Sequence, residues 1–131
     1  AIMSLGTVQA TNCIFTGNKG YRGGAIYIGD VNLNASVCTF TGNSSTMQGG
    51  AIYIYGSSTI TISYSRFANN TASSGYAISN PLGANVTATN NWWGTNNPNS
   101  TTLFDGSVTY IPYVKMAFSD NPSVITPGAL F

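Results

Sequence analysis

The 131-residue chain carries a net charge of +1, has only 5% charged residues and contains no histidine, where an average globular protein has roughly 25% charged residues. That composition excludes a basic stripe for nucleic acid and a cationic amphipathic membrane helix, and without histidine there is no Ser-His-Asp triad or Cys-His pair. Asn, Ser, Thr and Gly fill most positions that are not apolar, so strands and turns are expected and almost no α-helix.

In chain order, Ala1-Ile2-Met3-Ser4 reads as the end of a unit cut open, which predicts a piece of a longer secreted or surface protein. No signal peptide or membrane span is recognisable in it. The full form of the unit is Gly23-Gly24-Ala25-Ile26-Tyr27-Ile28, repeated at Gly49-Gly50-Ala51-Ile52-Tyr53-Ile54 and worn at Gly75-Tyr76-Ala77-Ile78. Ala25, Ala51 and Ala77 stand 26 residues apart. A fixed period in this range denotes stacked supersecondary units.

Between these stretches runs an aromatic column, Phe15, Phe40, Phe67 and Trp93, with steps of 25, 27 and 26. Three residues after each comes Asn18, Asn43, Asn70 and Asn96. Two residues before come Cys13, Cys38, Ser65 and Asn91. Further back lie Ala10, Ala35, Ile62 and Ala88, then Val8, Leu33, Ile60 and Val86. Thr59-Ile60-Thr61-Ile62-Ser63 alternates apolar and polar residues, the mark of a half-buried strand. About three short strands per unit are predicted, with Gly, Asn and Ser between them. Short strands at this period, without helices, give an all-β parallel solenoid of about four coils, in which like residues stack in ladders. The Asn column suits tight turns, because Asn tolerates the left-handed region and its amides hydrogen-bond along a stack. The Gly pairs suit sharp corners.

The fourth copy changes at Asn90-Asn91-Trp92-Trp93-Gly94, and no Gly-Gly-Ala follows. A solenoid needs a cap over its last coil. The expected division is coils over 1–97, a cap over 98–117 and a tail or linker over 118–131. Val108-Thr109-Tyr110-Ile111-Pro112-Tyr113-Val114 is predicted as a final strand across the open end.

The Cys-x-Phe-x-Gly-Asn and Gly-Gly-Ala-Ile-Tyr-Ile motifs resemble the repeats of right-handed parallel β-helices related in fold to pectate lyases. They are similar to those of polymorphic outer-membrane proteins and of adhesin-like proteins of methanogenic archaea. The Asn-Asn-Trp-Trp-Gly ending resembles the end of the β-helix in the archaeal proteins, and residues 118–125 resemble the first strand of an immunoglobulin-like module. The resemblance implies a right-handed coil and an extracellular, cell-surface setting. The same solenoid carries enzymes, adhesins and passive stalks.

Candidate sites follow from the columns. Tyr27 and Tyr53 should point outward one above the other, with Met3 and Ser79 continuing the line and Tyr55, Tyr21 and Tyr64 nearby. Stacked outward aromatics bind sugar rings or partner surfaces, although Tyr also simply suits a strand surface. Cys13 and Cys38 sit on adjacent coils, about 4.8 Å apart by strand spacing. A disulfide and two buried free thiols are both open. Asn34, Asn69, Asn85 and Asn99 head N-glycosylation triplets, as does Asn43 inside the turn ladder. Asp30, Asp105 and Asp120 share no coil face, so no carboxylate pair, metal site or cofactor site is predicted.

The expected function is a non-catalytic adhesin-like surface module that contacts a cell-surface glycan, a protein of another cell, or further copies of itself. The alternatives are a structural subunit of an extracellular filament or sheath, and a fragment of a polysaccharide lyase or hydrolase.

Overall fold

The computed structural model describes residues 1–4 and 6–117. Leu5 and the tail at 118–131, including Asp120, lie outside the described residues. The chain winds as a parallel β-solenoid in which every named strand pair is parallel. The first coils contain β1 (Ile2–Ser4), β2 (Val8–Thr11), β3 (Ile14–Thr16), β4 (Lys19–Arg22), β5 (Ile26–Gly29), β6 (Leu33–Ser36), β7 (Thr39–Thr41) and β8 (Ser44–Gln48). Then come β9 (Ile52–Tyr55), β10 (Thr59–Ser63), β11 (Arg66–Ala68), β12 (Ile78–Asn80), β13 (Asn85–Thr87), a single helical turn α1 (Ser100–Leu103) and β14 (Phe104–Gly106).

Stacking sorts these strands into four sheets, ordered β1-β5-β9-β12-β14, β2-β6-β10-β13, β3-β7-β11 and β4-β8. The registers follow the sequence columns. Ile26 pairs with Ile52 and Ile52 with Ile78, and Leu33 pairs with both Val8 and Ile60. Isoleucine, leucine and valine suit these strands because their side chains pack on the pleated surface. Ile26, Ile28, Ile52, Ile54, Ile60, Ile62 and Ile78 are completely buried. The aromatic column forms a continuous pile. Ring centroids are 4.8 Å apart for Phe15–Phe40, 4.6 Å for Phe40–Phe67 and 4.7 Å for Phe67–Trp93, with planes nearly parallel.

Four strands, not three, occupy the early coils. Residues 19–22 and 44–48 lack apolar alternation. They nevertheless pair as β4 and β8, and both faces of this ribbon stay partly solvated. An absent hydrophobic period therefore did not mean an absent strand.

The Asn column is a hydrogen-bonded ladder for three coils. The backbone and side-chain amides of Asn18 both donate to Asn43 Oδ1, at 3.0 Å each. Those of Asn43 donate likewise to Asn70 Oδ1, at 3.0 Å each. The same side-chain amides reach back one coil, from Asn43 to the Phe15 carbonyl and from Asn70 to the Phe40 carbonyl. The left-handed conformation expected of these asparagines belongs instead to the residue before each: Gly17 (φ 62°), Gly42 (φ 63°) and Asn69 (φ 56°).

Asn96 does not join the ladder. Its preceding residue is Thr95, whose β-branched side chain disfavours the left-handed region, and the positive φ falls one residue earlier, at Gly94 (φ 80°). The turn cannot repeat. Asn96 is exposed and clasps the Met116 backbone, donating to its carbonyl and accepting from its N–H, both at 2.7 Å.

The cap also departs from expectation. Residues 108–114 form no strand. Thr109 makes an isolated parallel bridge to Thr87. The segment that extends the solenoid is β14, earlier in the chain, which pairs with β12 as the fifth strand of the largest sheet. Phe104 meets Trp93 edge-on at 4.9 Å, and Tyr110 and Tyr113 continue the aromatic contact outward. A pile of rings thus runs from the first coil into the cap.

Asn43 is fully buried at the middle of its ladder, so Asn43→Ala strips acceptors and donors from both neighbouring rungs. It is expected to destabilise the chain by about 2–3 kcal/mol in chemical denaturation. Asn96→Ala removes two solvent-exposed bonds and is expected to cost about 1 kcal/mol or less. Equal losses in the two variants would contradict the ladder's end at Asn70.

Candidate contact cleft

The outer face of the five-stranded sheet carries one column: Met3, Tyr27, Tyr53, Ser79 and Asp105. The alternation of β5 and β9 sends their isoleucines inward and these tyrosines outward. Tyr27 and Tyr53 stack with centroids 5.3 Å apart and planes tilted by 31°. Beside them runs the β4-β8 ribbon. Its register slips between Gly20 and Arg22, and the slip occurs at Tyr21, which is 66% exposed.

Arg22, at the end of β4, turns toward these rings. Its guanidinium carbon lies 5.6 Å from the Tyr21 ring centre and 5.4 Å from that of Tyr53, within the range of cation–π attraction. Its Nε is buried with no hydrogen-bond partner among the described residues. A cavity of about 360 Å³ opens here, lined by Ile2, Met3, Tyr21, Arg22 and Tyr27 among others.

The candidate tyrosines therefore take different positions, and Tyr64 does not line the cavity. Tyr21 and Tyr27 line the cleft. Tyr53 is directed outward as expected but is only 4% exposed, because Tyr27 and Arg22 pack on it, and it does not line the cavity. Tyr55, 48% exposed, pairs in register with Gly29 and does not line the cavity. Burial raises the Tyr53 phenol above its ordinary value of 10.0, against the lowering effect of Arg22.

Arg22 and Asp105 were the residues missed. Arg22, Gln48 and Ser74 form a column of their own, each directly before a glycine of the repeat, and that regularity was visible in the sequence. Asp105 sits on the unpredicted strand β14. Its Oδ2 accepts from Gln48 Nε2 (3.0 Å), Ser74 Oγ (3.2 Å) and Ser79 Oγ (2.9 Å), so this carboxylate ties the cap to two earlier coils. Asp30 Oδ1 accepts from the Ser57 N–H at 3.1 Å. Among the described residues no group of three or more acidic, Cys or His side chains is arranged to hold a metal ion.

Cys13 and Cys38 are free thiols, the first half-buried and the second buried. They sit in a polar column that continues downward. The Cys38 N–H donates to Ser65 Oγ at 3.0 Å and the Ser65 N–H to Asn91 Oδ1 at 2.8 Å. Burial raises the Cys38 thiol above its ordinary value, which disfavours the reactive thiolate. Of the glycosylation triplets, Asn34, Asn69, Asn85 and Asn99 are exposed. Asn99 also caps α1 by accepting from the Thr101 N–H. Asn43 is buried in its ladder.

The family model for a right-handed β-helix region matches residues 1–115. The chain belongs to the right-handed β-helix family. Neither a curated protein nor a solved structure matches it significantly. Membership gives the solenoid its hand, which the column spacing alone does not. The family fold leaves the activity of this β-helix to be argued from its own side chains.

The buried Tyr53 phenol yields a sign-definite titration. Its folded pKa lies above the unfolded one, so its contribution to stability is whole below about pH 10 and is lost as pH rises through the folded value. An alkaline absorbance titration is expected to show one phenol ionising after the rest. That lagging step should vanish in Tyr53→Phe; an unchanged curve would contradict the burial.

Proposed function

We propose that the chain is a non-catalytic contact module of an extracellular, adhesin-like surface protein, and that the cleft beside Tyr27 meets a glycan or protein surface of another cell. The observation that carries this reading is the Arg22 guanidinium. It is held against the Tyr21 and Tyr53 rings, its Nε has no partner among the described residues, and Tyr21 and Tyr27 remain accessible beside it. Tyrosine and arginine offer large, stiff contact areas with polar ends, the residue types that dominate binding energy at interfaces. Tyr27 packs on Tyr53 and Arg22 lies over Tyr21, which limits the side-chain freedom lost on binding.

The non-catalytic part rests on how the carboxylates are used. Asp30 holds a turn and Asp105 joins the cap to earlier coils; each is engaged in structure and neither faces the other. The resemblance to archaeal adhesin-like repeats supports the cell-surface setting.

Binding to a glycan array or to partner-cell surfaces is expected to fall about tenfold or more in Tyr21→Ala and Tyr27→Ala. Tyr55→Ala, outside the cleft, should bind as the wild type does. Turnover of a pectin-like polymer by the isolated chain would overturn the reading.

A further inference from the structure

A second cavity, of about 290 Å³, opens where the Asn ladder stops. Phe67, Ala68, Asn70, Tyr76, Trp93 and Leu103 line it, with Ala77 behind. It exists because the chain leaves the coil after Trp93 and Asn96 goes to Met116. In the two rungs before, the backbone N–H and side-chain amide of one Asn share the Oδ1 of the next. Asn70 stands at the same place in its coil, and the asparagine oxygen that would meet its backbone N–H and the second proton of its amide is missing. Trp93 also lines the cavity and is 2% exposed, and its indole Nε1 is buried with no partner among the described residues. Unmade hydrogen bonds of this kind are costly.

The rings contribute in the same sense. Phe67 is stacked on one face by Phe40 and on the other by Trp93, so it offers the cavity its edge. Aromatic edges carry the positive side of the ring quadrupole. Donors and ring edges together favour an oxygen acceptor. No charged side chain lines the space, so a neutral carbonyl suits it better than a carboxylate, whose burial without a counter-charge is expensive. Ala68, Ala77 and Leu103 suit a methyl group.

We propose that this cavity binds the acetamido group of an N-acetylated amino sugar, its carbonyl oxygen replacing the missing asparagine oxygen at Asn70 and Trp93. The choice of a sugar as bearer of that group rests on the glycan reading above. The volume lies at the lower edge of the roughly 300–1,000 Å³ of small-molecule pockets, room for one residue rather than a chain.

The test is a heteronuclear NMR titration of the wild-type chain with N-acetylglucosamine and, separately, glucose. The Trp93 indole N–H resonance, assigned by its loss in Trp93→Phe, should shift with the first sugar and not the second. Trp93→Phe keeps a ring of the kind stacked in the three earlier coils and removes only the donor end of the indole; its affinity for N-acetylglucosamine should fall about tenfold. An indole that ignores both sugars or answers both equally, or a variant of unchanged affinity, would overturn the proposal. Should Trp93→Phe not fold, an indole pair in which neither resonance separates the two sugars overturns it alone. A silent indole with surface binding still dependent on Tyr21 and Tyr27 would remove this site and leave the contact module standing. The opposite pattern would remove the module and leave the site.

Discussion

Every coil of this chain depends on the coil beside it for its hydrogen bonds, and the asparagine ladder is where that dependence is tightest. A strand ladder satisfies backbone groups along straight segments, but a solenoid must also turn, and turns strand N–H groups in the interior. Here the Asn43 side-chain oxygen collects two donors from Asn18 in the coil before, while its own amide donates to the Phe15 carbonyl of that same coil. The fully buried Asn43 is therefore as much a member of the core as Phe40, which stacks in the next column. The ladder needs a left-handed residue ahead of each asparagine, and Gly17, Gly42 and Asn69 supply it.

The end of the solenoid follows from the same requirement. With Thr95 at the turning position the ladder stops, the chain leaves, and the aromatic pile closes on Phe104 edge-on rather than adding another parallel ring. The stop leaves Asn70 without the asparagine oxygen that Asn18 and Asn43 each meet. The outer face tells a different story. There only Tyr27 and Tyr53 repeat from coil to coil; Met3, Ser79 and Asp105 complete the same column with unlike side chains. Tyr53 and Ser79 in that column are buried beneath their neighbours, while Met3 is exposed.

Much of this was legible before any coordinates. The isoleucine and aromatic columns placed the inward residues in the registers observed, because a stacked coil forces like residues onto one another. The β4-β8 ribbon was missed because both its faces are wet and period-two hydrophobicity has nothing to report there. β14 was missed because it occurs once, in a sequence with no repeat to align. The segment predicted as a strand over 108–114 does run along the last coil and bonds to residues 86–91, but it forms a β-bridge only at Thr109, and Pro112 has no N–H to give a ladder. Asn96 matched its column by type and spacing; the disqualifying residue was its neighbour. At the cleft, the tyrosines were visible by alternation, but the burial of Tyr53 needed Arg22, which lies on the ribbon that the sequence had concealed.

The central claim is that side-chain oxygens of the asparagine column hold the turns of the coils together and that this bonding ends at Asn70. Residue-resolved amide hydrogen exchange under native conditions tests it most directly. The backbone N–H of Asn43 should be protected to the degree of the strand amides around it, with that of Asn70 exchanging much faster. Equal rates at Asn43 and Asn70, or an Asn43 amide that exchanges like an exposed turn, would contradict the account.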